Sequence, residues 1–242
     1  MISQQILRKI PGRLFIVIVS LSLLISCSGP DPTYFPLQSG YKWRYDVAMT
    51  TRDGLEKQKY ILNNLGPSKL NSEPVYARQS LDGTLLYYAI EDDEIRYLGS
   101  DSRDVPGGQF KPDQQIVMKQ PLELNTNWET TSQTRLLKKT GPPQKTEFRI
   151  VARVPLDVLV ESLTETVSVP AGIFSNCLKI RMTGSMMKDA GNYVGMTLIN
   201  VEETRWYAPG VGLVKLERLE TTQSDALDKG SLLVELADYD VG

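Results

Sequence analysis

Along most of the chain, apolar and polar residues alternate with a period of two, the repeat of a half-buried strand rather than of a helix. Tyr41, Trp43, Tyr45, Val47 and Met49 fall on one face, and Lys42, Arg44 and Asp46 on the other. The stretch stops at Arg52-Asp53-Gly54, a hairpin turn signal, and resumes at residues 59–62. Residues 75–81 run to Asp82-Gly83, residues 84–90 run to the acidic turn at Asp92-Asp93, and residues 95–98 follow. Phe148, Ile150, Ala152 and Val154 alternate with Arg149, Val151 and Arg153. Residues 158–169 are rich in β-branched side chains up to Pro170-Ala171-Gly172, and 174–182, 196–208, 213–219 and 232–236 read as further strands. No segment after the leader keeps a helical repeat beyond about ten residues. The pattern predicts an all-β fold, an antiparallel meander forming a curved sheet or half-open barrel. Two segments interrupt it. Residues 99–112, rich in Asp, Gly and Pro, read as a long loop. Residues 138–145 read as a hairpin tip, with Lys138, Lys139 and Lys145 on a solvated edge.

The N-terminus obeys a different rule. Arg8, Lys9 and Arg13 precede an apolar run at 14–25, broken only by Ser20 and Ser22. As a helix that run spans roughly 18 Å, short of the ~30 Å hydrocarbon core of a bilayer. A basic flank and a short apolar helix are the parts of an export signal. It ends in Leu24-Ile25-Ser26-Cys27, which resembles the lipobox of bacterial lipoproteins. The resemblance implies a diacylglyceryl group on the Cys27 thiol, cleavage before it, and acylation of the new amino group. Each buried methylene contributes about 0.8 kcal/mol, so two or three acyl chains hold a protein on a membrane where one would not. The expected organisation is a signal-peptide helix at 1–26, lipidated Cys27 with a tether to residue 36, and one β-rich domain at 37–242. Ser28, rather than Asp, follows Cys27. In Gram-negative sorting that position points to the outer membrane, on its periplasmic face.

Charge narrows the partners. Without residues 1–26 the chain keeps 24 basic residues against 29 acidic, a net charge of −5. Such a domain gains nothing from nucleic acid or anionic lipid. The chain has no His, which removes the usual general base near neutral pH, His-based triads and most zinc sites. With Cys27 acylated, Cys177 has no disulfide partner and reads as a small buried hydrophobe.

Two short matches raise an internal repeat. Pro36-Leu37 precedes Trp43 with the spacing by which Pro121-Leu122 precedes Trp128, and Tyr88-Ala89 and Tyr207-Ala208 each end a strand. On this reading the domain has two related halves, 36–115 and 121–242.

Three stretches carry a further resemblance. They are Tyr34-Phe35-Pro36-Leu37 with Gly40 and Trp43-Arg44-Tyr45, then Val169-Pro170-Ala171-Gly172-Ile173-Phe174 with Asn176-Cys177-Leu178, then Trp206-Tyr207-Ala208-Pro209-Gly210-Val211-Gly212-Leu213-Val214. Together they resemble an uncharacterised group of bacterial lipoproteins and secreted β-domain proteins. No activity comes with the resemblance, and Ile173 stands where Thr is expected. Each patch has a sufficient local reason. Pro170 presets a turn, and Pro209 to Gly212 form another whose glycines allow close backbone approach. An anion cradle at these glycines needs a helix behind it, and residues 213–217 read as a strand.

Candidate chemistry is thin. Glu91, Asp92, Asp93 and Glu94 sit on a hairpin tip, Asp92-Asp93 lack the spacing of a calcium loop, and Glu202 and Glu203 point to opposite faces of one strand. No Gly-x-Ser-x-Gly elbow is present. The sequence therefore suggests no enzyme, no cofactor and no metal. The reading is a cell-envelope lipoprotein with a nonenzymatic binding or scaffold domain, its partner an envelope protein held at a strand edge or hairpin tip. The alternative is a carrier of a hydrophobic ligand in a half-barrel lined by Trp43, Trp128, Trp206 and Tyr207. An open apolar cavity favours the carrier, and a filled interior favours the scaffold. An envelope hydrolase, the third reading, needs convergent polar groups in one cleft.

Overall fold

Turn chemistry sets the strand boundaries in the computed structural model, which describes residues 33–102, 105–142, 146–191 and 194–241, with 105–114 as backbone alone. The leader, Cys27 and the start of the tether lie outside the described residues. The strands are β1 (Lys42–Thr51), β2 (Gly54–Leu70), β3 (Glu73–Ser80), β4 (Leu85–Glu91), β5 (Glu94–Ser102), β6 (Val105–Lys119) and β7 (Asn127–Gln133). They continue with β8 (Lys138–Gly141), β9 (Thr146–Arg149), β10 (Arg153–Val169), β11 (Gly172–Asp189), β12 (Met196–Ala208), β13 (Gly212–Thr222) and β14 (Lys229–Asp240). A single 3₁₀ turn, Asp225–Leu227, precedes β14, its N-terminus capped by the Ser224 hydroxyl. Between β2 and β3, Asn71 and Ser72 both take positive φ, 50° and 75°, the geometry that matches strand twist in two-residue hairpins.

Twelve strands form one antiparallel sheet in the order β6-β5-β4-β3-β2-β1-β14-β13-β12-β11-β10-β7. The sheet curls until β6 and β7 approach each other, giving a nearly closed barrel with one unsealed seam. The first and last strands pair in its middle, Trp43 opposite Tyr239 and Val47 opposite Val234. β8 and β9 make a separate hairpin.

The strand reading of the sequence holds along this sheet, with two corrections. Of residues 99–112, expected as a long loop, 99–102 instead complete β5 and 105–112 form much of β6. β6 is a sheet edge, where Pro and Gly are tolerated because one side of the backbone has no ladder to supply. The alternation across 148–154 is not one strand: β9 ends at Arg149 and β10 begins at Arg153. Between them the Thr134 hydroxyl stands in for a neighbouring strand, donating to the Ile150 carbonyl at 2.7 Å and accepting from the Ala152 N–H at 2.8 Å.

Inward-facing side chains form two clusters. The larger is built on Trp128, Val154, Leu156, Val158, Val160, Leu178, Ile180, Ile199, Val201 and Tyr207. The second joins Trp43, Tyr45, Val47 and Leu62 to Val167, Val169, Cys177, Val214 and Leu236. A third, small cluster of Val75, Ala77 and Tyr87 lies apart from both.

Candidate functional site

The four aromatic candidates do not line one cavity. Trp43 is buried in the second cluster and donates its indole N–H to the Val211 carbonyl at 2.7 Å. Tyr207 and Trp128 belong to the larger cluster, and the buried Trp128 indole nitrogen has no hydrogen-bond partner among the described residues. Trp206 sits half-buried at the margin of the second cluster with the Lys215 ammonium 5.3 Å from its ring centroid. Cys27 lies outside the described residues. Cys177 is fully buried, and burial followed by the Glu165 charge pushes its thiol up to about 11.

The three sequence patches that carry the family resemblance meet in space. Gly210 N–H donates to the Thr33 carbonyl, and the Tyr45 hydroxyl donates to the Leu213 carbonyl at 3.1 Å. The Tyr34 hydroxyl reaches the Asn176 carbonyl at 3.2 Å. Gly212 has φ +100°, and a Cβ there would stand 3.3 Å from Pro36 and 3.8 Å from Trp43, so both backbone and space favour glycine. Behind this junction lies Arg78, buried without a carboxylate partner among the described residues. Its guanidinium donates to the Pro36 carbonyl at 2.7 Å and to Asn64 Oδ1 at 2.8 Å. Three rings surround it, with centroids at 4.0 Å for Phe35, 5.0 Å for Trp43 and 5.1 Å for Tyr88. The electron-rich ring faces replace the hydration that burial removes.

The chain fills its own barrel. Phe35 and Leu37 from the segment before β1, Leu137 from the connection after β7, and Leu227 from the 3₁₀ turn all join the main interior cluster. The connection is pinned by a buried ionic network. Arg218 on β13 pairs with Glu203 at 2.7 Å and Glu220 at 2.8 Å, and donates to Ser132 Oγ and the Gln133 carbonyl on β7. Arg205 pairs with the other oxygen of Glu203. Glu220 accepts the backbone N–H groups of Arg135 and Leu136. Burial alone would push the Glu203 carboxyl up, but Arg205 and Arg218 outweigh it and hold the carboxyl below its ordinary value. Glu202 and Glu203 do face opposite ways, Glu202 exposed and Glu203 buried. Both oxygens of Glu203 are held by arginines, so they face no open cleft in which to exchange protons with a substrate.

The seam is the feature that remains open. Pro155 of β10 stands opposite Thr131 of β7. Opposed residues of an antiparallel pair exchange two ladder bonds or none, and Pro has no N–H to exchange. The Thr131 N–H and C=O therefore point away from β10, toward β6. Accordingly, the Thr131 carbonyl accepts the side-chain amide of Gln115 on β6. Glu129, two residues along, has the same orientation. No ladder joins β6 to β7. On the outer surface Glu129 stands opposite Asp157, Asp157 opposite Thr183, and Thr183 opposite Glu202. A pair that exchanges no ladder bonds brings its side chains closer, so Glu129 and Asp157 repel at short range. Neither has an ion-pair partner among the described residues. Among the described residues no group of three or more acidic or thiol side chains is placed to hold a metal ion.

Sequence reasoning expected a half-open barrel but missed Arg78, Arg205, Arg218, Glu220 and the position of the opening. The one residue type that pointed to the seam was Pro155, an imino acid within a strand.

Comparison with known proteins adds family-level similarity and no activity. Residues 114–225 match a family model described as DUF3108-like. The chain is similar to a crystal structure of a presumed exported protein with a YmcC-like fold from Bacteroides fragilis NCTC 9343, with 15% identity and a TM-score of 0.46 over 86% of this chain and 99% of that one. It is also similar to a presumed lipoprotein from Parabacteroides distasonis ATCC 8503, with 16% identity and a TM-score of 0.41 over 88% of this chain and all of that one. No curated protein matches.

Proposed function

We propose that the chain is a cell-envelope lipoprotein, anchored by acyl chains on Cys27, whose β-domain is a nonenzymatic scaffold for another envelope protein. The lipobox after a short apolar leader supports the anchor. Ser28 behind the cysteine supports the outer membrane, periplasmic face. One observation carries the scaffold reading: the interior that a hydrophobic cargo would occupy is packed with Phe35, Leu37, Leu137 and Leu227 of the chain itself. A carrier would have to expel these side chains, at about 1.5–3 kcal/mol for each one exposed.

Mass spectrometry of the mature N-terminus tests the anchor. The expected N-terminal peptide begins at Cys27 and carries the added mass of diacylglyceryl and acyl groups. A mature form that begins elsewhere, or a Cys27→Ala protein that remains membrane-bound after cleavage, overturns it. Titration with a dansylated fatty acid tests the scaffold reading. No saturable fluorescence increase is expected, and stoichiometric binding would restore the carrier.

A further inference from the structure

We infer that the outer edge of β7 is a strand-addition site for an extended, basic segment of a partner protein. This goes beyond the anchor and stands independently of it. The backbone groups of Glu129 and Thr131 face the seam, because Pro155 prevents the Thr131 pair from bonding to β10. Among the described residues, the Gln115 side chain meets the Thr131 carbonyl from β6. A strand that pairs with β7 breaks the Gln115 contact, moves β6 away from the β7 it approaches, and gains the ladder bonds of Glu129 and Thr131, the usual source of affinity in β-augmentation.

Charge selects the occupant. A residue that pairs with Glu129 from the seam side lies beside a carboxylate already repelled by Asp157, with Glu202 further along the same row. A lysine or arginine there relieves the repulsion, and an acidic residue deepens it. The other outward positions of β7, Asn127, Thr131 and Gln133, are uncharged, and Arg153 stands opposite Gln133 at the end of the strand, so the basic preference is set at Glu129. The occupant is therefore an extended segment with basic residues on alternate positions, rather than an acidic one or a second copy of this acidic chain.

The full chain in detergent micelles is titrated with fluorescein-labelled decapeptides alternating Lys with Val or Glu with Val, read by anisotropy and by amide hydrogen exchange across 127–133. The Lys peptide is expected to bind saturably and to slow exchange at Glu129 and Thr131. Thr131→Pro, which removes a seam-facing donor and no ladder bond, is expected to weaken binding about tenfold. Should that variant not fold, Glu129→Lys serves instead, with preference shifting toward the Glu peptide. Equal binding of both peptides without protection of β7 overturns the inference. So does protection of β7 that rises with protein concentration in the absence of peptide, which would make this edge an interface between two copies. An unlipidated Cys27 would leave all of these outcomes unchanged.

Discussion

The indole N–H of Trp43 reaches the carbonyl of Val211, 168 residues later, and so ties the start of β1 to the turn that opens β13. Around that bond the segment before β1 is folded inward, with the Pro36 carbonyl held by both Arg78 and Asn64 Nδ2. The three family-like patches therefore form one structural junction, and their residues are accounted for by packing and hydrogen bonds.

Arg78 is the most exacting member of that junction. Its planar fork bonds two acceptors while its faces lie against aromatic rings, a geometry lysine cannot reproduce. Arg78→Lys is expected to lower unfolding stability by about 1–3 kcal/mol, the cost of hydrogen bonds to a charged group lost in a buried site. The midpoint of urea denaturation checks this. A midpoint within error of the parent would mean that Phe35 and Pro36 hold their places without the guanidinium.

Glu203 makes stability depend on pH in one direction. Its carboxyl is held below the ordinary glutamate value in the folded chain, so the unfolded chain binds the proton more readily. Its contribution is present above the unfolded value, about 4.3, and is lost as pH falls through the lower folded value. Glu203→Gln removes this dependence while leaving Arg205 and Arg218 short of a charge. The variant should be less stable than the parent at pH 7, and the gap should narrow below roughly pH 4. Urea midpoints measured across that range give the answer, and a gap independent of pH would exclude Glu203 as the titrating group.

How far the sequence led depends on which residues one follows. Alternation at Trp43, Tyr45 and Val47 marks an inward face, and all three are buried together. In β3 and β13 the same rule inverts. Arg78 faces inward while Val75 and Ala77 sit in the small separate cluster; Arg218 and Glu220 face inward while Leu219 is exposed. Hydrophobicity assigns a face only where burial is apolar, and a paired or ring-enclosed charge can occupy an interior position at which the pattern reads as solvent. The position of the seam was equally hidden. Which two strands remain unpaired follows from the order of the whole sheet, and local sequence holds only the clue of Pro155.

Cys177 should be chemically silent in the folded chain. It is fully buried, its thiol is pushed up to about 11, and its hydrogen-bond partner is the Phe174 carbonyl at 3.5 Å. Thiolate is the reactive form, so a thiol with this value is almost wholly protonated at pH 8. Iodoacetamide is expected to leave Cys177 of the native protein unmodified at that pH and to alkylate it stoichiometrically in urea. Rapid labelling of the native chain would show that the β10–β11 hairpin opens readily.

The crossing between β7 and β8 offers a test of coupling. Gly230 leaves no room for a side chain, since a Cβ there would stand 2.5 Å from the Leu136 carbonyl oxygen and 2.6 Å from its Cβ. On the same short segment, Glu220 holds the N–H of Leu136 at 2.9 Å. Gly230→Ala pushes the crossing off the β14 wall, and Glu220→Gln weakens the grip on its other side while leaving Arg218 with one carboxylate. Gly230→Ala alone is expected to cost about 1–3 kcal/mol, the range for overpacking, and Glu220→Gln alone about 3–5 kcal/mol, the range for a broken buried ion pair. Because both act by displacing Arg135 and Leu136, the double variant should lose less than the sum, by about 1 kcal/mol or more. Strict additivity in a double-mutant cycle of urea midpoints would mean that the crossing is held independently at its two sides.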